Sequence, residues 1–341
     1  METPLTRLLS IDHPIVLPQM TRVSTPALVA AVSDAGGLGI LATASLSPDA
    51  TRSAIRELRE RTGRPFGVGI PLLVPGGREK AGTALEERVP VINFSLGKGD
   101  WIVPRAHAYG GRVIATVTSA RHARAAVSQG CDALLVVGNE GAGHGSACTS
   151  LVLIPSIADE VALPLIAAGG FADGRGLAAA LMLGASGIAM GTRLATVQES
   201  PLHLRTREEI LARAGADTVY TDRFDGMDCR ILRTPSAERI LRRRTGLFAA
   251  FPASFRLARE LETSWLRMLI GVATRGPAHV VRMASAATAA DSMQRAIEQG
   301  DLEAGVMPAG QVQELIRDAP KAAKLIARTV REAEALLGPL P

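Results

Sequence analysis

Three times between Ala133 and Thr196 the chain runs a short apolar segment into a glycine-bearing turn, and no other feature limits its fold as tightly. The segments are Ala133-Leu134-Leu135-Val136-Val137, Leu163-Pro164-Leu165-Ile166-Ala167-Ala168 and Ser186-Gly187-Ile188-Ala189-Met190. They lack the polar alternation of a half-exposed strand, so they read as strands of a parallel sheet covered on both faces by helices. The turns that follow are Gly138-Asn139-Glu140-Gly141-Ala142-Gly143-His144-Gly145, Gly169-Gly170 and Gly191-Thr192. Turns this poor in side chains let a ligand come close to the backbone. A glycine turn after a strand and before a helix also leaves N–H groups free where the helix dipole favours an anion. Gly169-Gly170 and Gly191-Thr192 therefore read as two halves of a phosphate site, after the sixth and seventh strands of a barrel. By contrast, Gly36-Gly37-Leu38-Gly39 follows the helical stretch Pro26 to Asp34 and precedes a strand, which marks a helix C-cap and turn.

The same cadence begins at His13-Pro14-Ile15-Val16-Leu17 and continues through Leu38 to Leu41, Pro65 to Ile70, Val89 to Phe94 and Arg112 to Val117. Helical stretches lie between, with Thr25 placed to cap the first of them and Pro26 suited to its first turn. Pro75-Gly76-Gly77 marks a loop, so the helix after the third strand is expected to be short or absent. Strands recurring with helices at this spacing before residue 195 argue for an α/β fold closed into a (β/α)8 barrel. An open dinucleotide-binding sheet would need Gly-x-Gly-x-x-Gly after the first strand, where Pro18-Gln19-Met20-Thr21-Arg22 stands instead.

Residues 1–205 thus form the barrel. Residues 206–295, arginine-rich and mainly helical in pattern, form a smaller inserted lobe with a strand at Asp217 to Thr221 and a turn at Phe224 to Met227. Residues 296–341 return to complete the barrel. Arg239, Arg242, Arg243 and Arg244 read as a solvated helix face, with the phosphates of a carrier thioester as the alternative partner.

With 341 residues, 47% of them hydrophobic, the chain can bury one large core or a barrel with an inserted lobe. Cys131, Cys148 and Cys229 are too scattered for a disulfide framework or a zinc site, so no metal is expected and a reducing cytoplasm fits. Met1-Glu2-Thr3-Pro4 does not open a signal peptide, and no apolar run approaches the roughly 18 residues of a membrane span. The net charge of +5 comes with only 3% aromatic residues, which argues against nucleic acid as a partner.

Taken together, the motifs carry a resemblance. Ile15-Val16-Leu17-Pro18-Gln19-Met20, Ala35-Gly36-Gly37-Leu38-Gly39, Glu140-Gly141-Ala142-Gly143-His144, Ala167-Ala168-Gly169-Gly170-Phe171-Ala172-Asp173-Gly174 and Met190-Gly191-Thr192-Arg193 follow one another as in the nitronate monooxygenase family. Asp217-Thr218, Gly226 with Arg230, and Ala309-Gly310-Gln311 extend the match over nearly the whole chain. The resemblance implies a TIM barrel that binds FMN and oxidises alkyl nitronates with O2, giving carbonyl compounds and nitrite. It implies His144 as the catalytic residue, able to hydrogen-bond an anionic substrate or act as acid or base. For the flavin it implies Ala168, Gly169, Gly170, Gly191 and Thr192 at the phosphate. Pro18, Gln19 and Met20 would lie along the ring, with Gly69, Thr116, Glu140, Gly143 and Gln311 as further contacts.

The chain departs from the family where Pro18-Gln19-Met20 replaces Ala-Pro-Met, where Gly69 replaces asparagine, and where Val137 replaces glutamine. Such changes alter hydrogen bonding to the flavin ring and with it the substrate. The sequence is also similar to FMN-dependent enoyl-thioester reductases, which implies NADPH and an acyl carrier or CoA substrate. Two further alternatives are a catalytic cysteine at Cys148, as in inosine monophosphate dehydrogenase, and a flavin-binding protein without turnover.

Overall fold

The computed structural model describes residues 1–242 and 289–338. Eight parallel strands close in chain order: β1 (Ile15–Leu17), β2 (Leu38–Ala42), β3 (Phe66–Pro71), β4 (Val91–Ser95), β5 (Arg112–Val117), β6 (Ala133–Val137), β7 (Leu165–Ala168) and β8 (Gly187–Ala189). The ring shuts where Ile15 and Val16 of β1 lie opposite Ile188 and Ala189 of β8. Each strand read from the sequence has its counterpart in this TIM barrel, β1 and β8 being the shortest at three residues each. The two phosphate-type turns accordingly follow the seventh and eighth strands, not the sixth and seventh.

Side chains alternate along each strand. Val16, Ile40, Val91, Ile114, Leu135 and Ile166 pack together in the lumen, while their neighbours Ile15, Leu41, Ile92, Val113, Leu134 and Leu165 join the core shared with the outer helices. The helix α1 (Pro4–Leu9), held by a capping box between Thr3 and Thr6, sends Leu5 and Leu9 into the luminal cluster. A Cβ on Gly187 would lie 2.6 Å from Leu5 Cδ2. The N-terminal end of the barrel is therefore plugged, and a ligand can reach the lumen only from the C-terminal end.

Between the strands run α2 (Pro26–Asp34), α3 (Pro48–Arg61), α4 (Gly77–Glu86), α5 (Val103–His107), α6 (Ala120–Ser128), α7 (Ser150–Ala158) and α8 (Gly174–Met182). Two local expectations fail. Thr25 stands at the N-cap of α2 but its side chain makes no cap bond. α4 is a full helix of 10 residues: Gly76 is its left-handed N-cap, and Ala81, Ala84 and Leu85 bury its inner face. The glycines there start a helix instead of replacing it.

Beyond β8 come α9 (Thr192–Ala195), α10 (Leu204–Ala212), an antiparallel hairpin of β9 (Thr218–Thr221) and β10 (Cys229–Leu232), and α11 (Pro235–Arg242). Phe224, Cys229, Ile231, Ala237, Ala289 and Val306 form a small core of their own. Arg239 and Arg242 are exposed, and Arg243 and Arg244 lie outside the described residues. The last helix, α12 (Ala322–Leu337), packs on α8 and α2. It joins the outer ring of helices around the barrel that β8 closes. A Cβ on Gly174 would sit 2.3 Å from Glu332 Cβ, so that glycine lets α8 and α12 touch. Among the described residues, no helix is long and apolar enough to cross a membrane.

Candidate active site at the open end of the barrel

Toward the C-terminal end, the luminal positions of β3, β4 and β5 change from apolar to empty or polar. Gly67 and Gly69 leave β3 without side chains, Val91 gives way to Asn93 and Ser95 on β4, and Ile114 to Thr116 on β5. Asn93 is fully buried and satisfied. Its Nδ2 donates to Ile114 O at 3.1 Å and Thr116 Oγ1 at 3.0 Å, and its Oδ1 accepts from Gln19 Nε2 at 3.3 Å. Gln19 Nε2 also lies 3.4 Å from Ser95 Oγ. Gln19 covers the bare backbone of β3 so closely that a Cβ on Gly69 would meet its Oε1 at 2.5 Å. The structure thus brings Gln19, Gly69 and Thr116 together, and adds Asn93 and Ser95, which sequence reasoning missed.

Across the lumen, Pro18 and Met20 lean on Gly191, whose added Cβ would stand 3.6 Å from Met20 Sδ and 3.8 Å from Pro18 Cγ. After Ala168 the backbone turns through Gly169 and Gly170, at φ of 101° and 89°. The start of α8 cannot serve an anion, since the Asp173 side chain already accepts from Arg175 N and Gly176 N. The available donors lie higher. Among the described residues, the N–H groups of Gly170, Gly191 and Thr192 meet no protein acceptor. Three unpaired amides beside open space fit a phosphate dianion, and the amide and hydroxyl groups around Asn93 fit the polar edge of a flavin ring. The tail reaches this turn too: Gly310 N donates to Thr192 Oγ1 at 2.9 Å and Gln311 N to Glu140 O at 2.9 Å.

The loop after β6 supplies the remaining expected residues. Glu140 turns its carboxylate to the start of α7, accepting from Ser150 N at 2.9 Å and Ser150 Oγ at 2.9 Å. Gly143 is left-handed and bridges to Arg230 of β10. Arg230 is buried, and its Nε donates to Asn139 O at 2.9 Å while its Nη1 donates to Thr218 Oγ1 at 3.1 Å. Burial pushes that guanidinium down from its ordinary value, opposed by the charge of Glu140. Tyr220 Oη donates to Gly145 O at 3.0 Å. The next contact is between side chains: His144 Nε2 lies 2.8 Å from Asp225 Oδ2. His144 thus sits at the open end on a loop clamped from above by the hairpin. Cys148, half-buried on the same loop, donates its N–H to Ser146 Oγ at 3.0 Å.

Comparison with known proteins adds the family. A model described as nitronate monooxygenase matches residues 2–332. The chain is 36% identical to the Mycobacterium tuberculosis (3aS,4S,5R,7aS)-5-hydroxy-7a-methyl-1-oxo-octahydro-1H-indene-4-carboxyl-CoA dehydrogenase, covering 98% of this chain and 96% of the relative. It is 34% identical to a nitronate monooxygenase of Pseudomonas aeruginosa over 66% of this chain and 78% of that one. The solved structure of FabK from Thermotoga maritima superposes with a TM-score of 0.83 at 34% identity, covering 99% of this chain and 97% of FabK.

Proposed function

The chain belongs to the nitronate monooxygenase family, whose members are FMN-dependent oxidoreductases, and from that premise we propose that it is an FMN enzyme oxidising the acyl group of a coenzyme A thioester. The observation that carries this reading is coverage. Likeness to the CoA dehydrogenase spans 98% of the chain, lobe included, whereas likeness to the Pseudomonas nitronate enzyme spans 66%. The likeness to the CoA dehydrogenase takes in the hairpin that clamps His144 and so the surroundings of that residue.

FMN, when bound, supplies the two-electron redox chemistry. Gly170, Gly191 and Thr192, with Ala168 and Gly169 shaping the turn, would hold its phosphate. Gln19, Asn93 and Thr116 would present amide and hydroxyl groups to the ring, with Pro18 and Met20 against it and Gly69 making room. His144 would exchange a proton with the substrate. Residues 206–295 are read as the lobe that covers the substrate.

A second reading, oxidation of an alkyl nitronate by O2, is supported by the family's name and by the Pseudomonas relative. Anaerobic absorption spectra of the FMN-loaded protein separate the two. Acyl-CoA thioesters are expected to bleach the flavin without NADPH. Bleaching by propionate 3-nitronate alone, with nitrite released once O2 is admitted, would overturn the thioester reading in favour of the nitronate one. Bleaching by NADPH followed by reoxidation with an enoyl-CoA would reverse the direction of the reaction.

A further inference from the structure

We propose that Asp225 is the positioning residue of the proton-transfer site: it fixes His144 in the tautomer whose Nδ1 lone pair faces the substrate and stabilises the imidazolium formed when that nitrogen takes a proton. The inference rests on the use of His144 as acid or base, and on the thioester reading only for where the proton comes from.

Four observations carry it. Asp225 Oδ2 is 2.8 Å from His144 Nε2, and with the carboxylate accepting, the ring proton is on Nε2. Asp225 Oδ1 accepts from Met227 N at 3.0 Å, so the carboxylate is held in place by its own turn. Among the described residues, no lysine or arginine pairs with Asp225, whose side chain is 17% exposed; the imidazole is the one group placed to balance it. His144 Nδ1 accepts no hydrogen bond from the described residues, and the ring is 34% exposed at the open end.

The loop does not need this contact to hold its shape, since Arg230 and Tyr220 already bind it through Asn139 and Gly145. The carboxylate therefore acts on the ring and its charge more than on the backbone. In the thioester reading, oxidation removes two hydrogens from the acyl group. One would leave as a proton to Nδ1, and the other with the electron pair that bound FMN would be there to accept.

The experiment pairs turnover with ring nitrogen spectra of the FMN-loaded protein labelled with 15N-histidine, recorded at alkaline pH. Wild-type protein is expected to show His144 as the Nε2–H tautomer. Asp225→Asn is expected to shift it toward Nδ1–H and lower kcat by roughly 10²- to 10⁴-fold, with FMN binding and KM little changed. Asp225→Glu is expected to recover the Nε2–H signature and part of the rate. Wild-type His144 as Nδ1–H, or Asp225→Asn turning over at the wild-type rate, would overturn the proposal. Should Asp225→Asn fail to fold, the wild-type tautomer and the Asp225→Glu variant decide. The tautomer is read without substrate, so a protein inert toward every thioester but carrying Nε2–H would refute only the proposed substrate.

Discussion

Two glycine clusters in this barrel look alike in sequence and are glycine for opposite reasons. In Gly36-Gly37-Leu38-Gly39 the protein's own atoms fill the space a side chain would need: a Cβ on Gly37 would lie 2.7 Å from Ile15 O, and one on Gly39 2.3 Å from Val29 O. At the open end the space is vacant. A Cβ on Gly170 would come no nearer than 3.6 Å to Glu140, one on Gly191 no nearer than 3.6 Å to Met20, and one on Gly143 would meet nothing within 4 Å. Crowding by backbone argues for packing, and open space beside unpaired amides argues for a ligand. Gly169 combines both, since it faces Gly141 N and Ser150 Oγ at 3.0 Å while starting the vacant turn.

The sharpest way to break this contrast is to add one methyl group to each cluster. Gly39→Ala forces β2 away from the backbone of α2 and is expected to cost about 3 kcal/mol or more, read as a fall in the urea midpoint of the flavin-free protein. Gly191→Ala meets no such obstacle, and with no positive φ it carries no backbone strain. The flavin-free protein should unfold at the wild-type midpoint, while FMN affinity falls by about tenfold, equivalent to about 1.4 kcal/mol, in a fluorescence titration. If Gly191→Ala unfolds as readily as Gly39→Ala, the two clusters are not different in kind.

Gly69 tests an intermediate case, because the atoms above it belong to the movable end of Gln19. Gly69→Ala should displace the carboxamide from Asn93 and weaken FMN binding, and Gln19→Ala in the same chain should relieve the crowding. A double-mutant cycle on stability is expected to return a coupling of about 1 kcal/mol; additive effects would mean that Gln19 does not depend on the bare strand.

The smallest expected effect lies in the structural cluster alone. A Cβ on Gly36 would sit 3.0 Å from His13 Cδ2. Burial, aided by the N-terminal ammonium, holds the His13 imidazole below its ordinary 6.5, against the opposing pull of Asp12 and Glu334. The folded state thus binds this proton less readily than the unfolded chain. Stability should be level above the ordinary value, fall as the pH drops below it, and level off again beneath the folded value. Comparing wild type with His13→Gln between about pH 7.5 and about pH 5.5 isolates the slope. FMN affinity should not differ between the two proteins.

How much of this was legible beforehand follows from where the physics is local. β5 and β6 agree with the sequence reading to the residue, because a strand covered on both faces leaves a mostly apolar run between polar turns. α4 escaped because its glycines carry the same signal as a loop, and only the buried Ala81, Ala84 and Leu85 reveal the helix. Asn93 was hidden inside Val91-Ile92-Asn93-Phe94-Ser95. The clue available was that an amide at an inward position of a buried strand needs partners, and those lie on β5 and beyond β1. Asp225 gave no local signal at all: it is 81 residues from His144, and only the fold brings them together.

The helix α12 bears on how the molecule can be made. All eight strands are encoded by Ala189, yet the element that wraps α2 and α8 begins only at Ala322. During synthesis the closed barrel must wait with the facing sides of those helices uncovered, against which Leu325, Ile326 and Val330 will later bury themselves. The protein emerging from the ribosome is then an incomplete cylinder with an uncovered apolar seam, a surface prone to aggregation until the last helix docks.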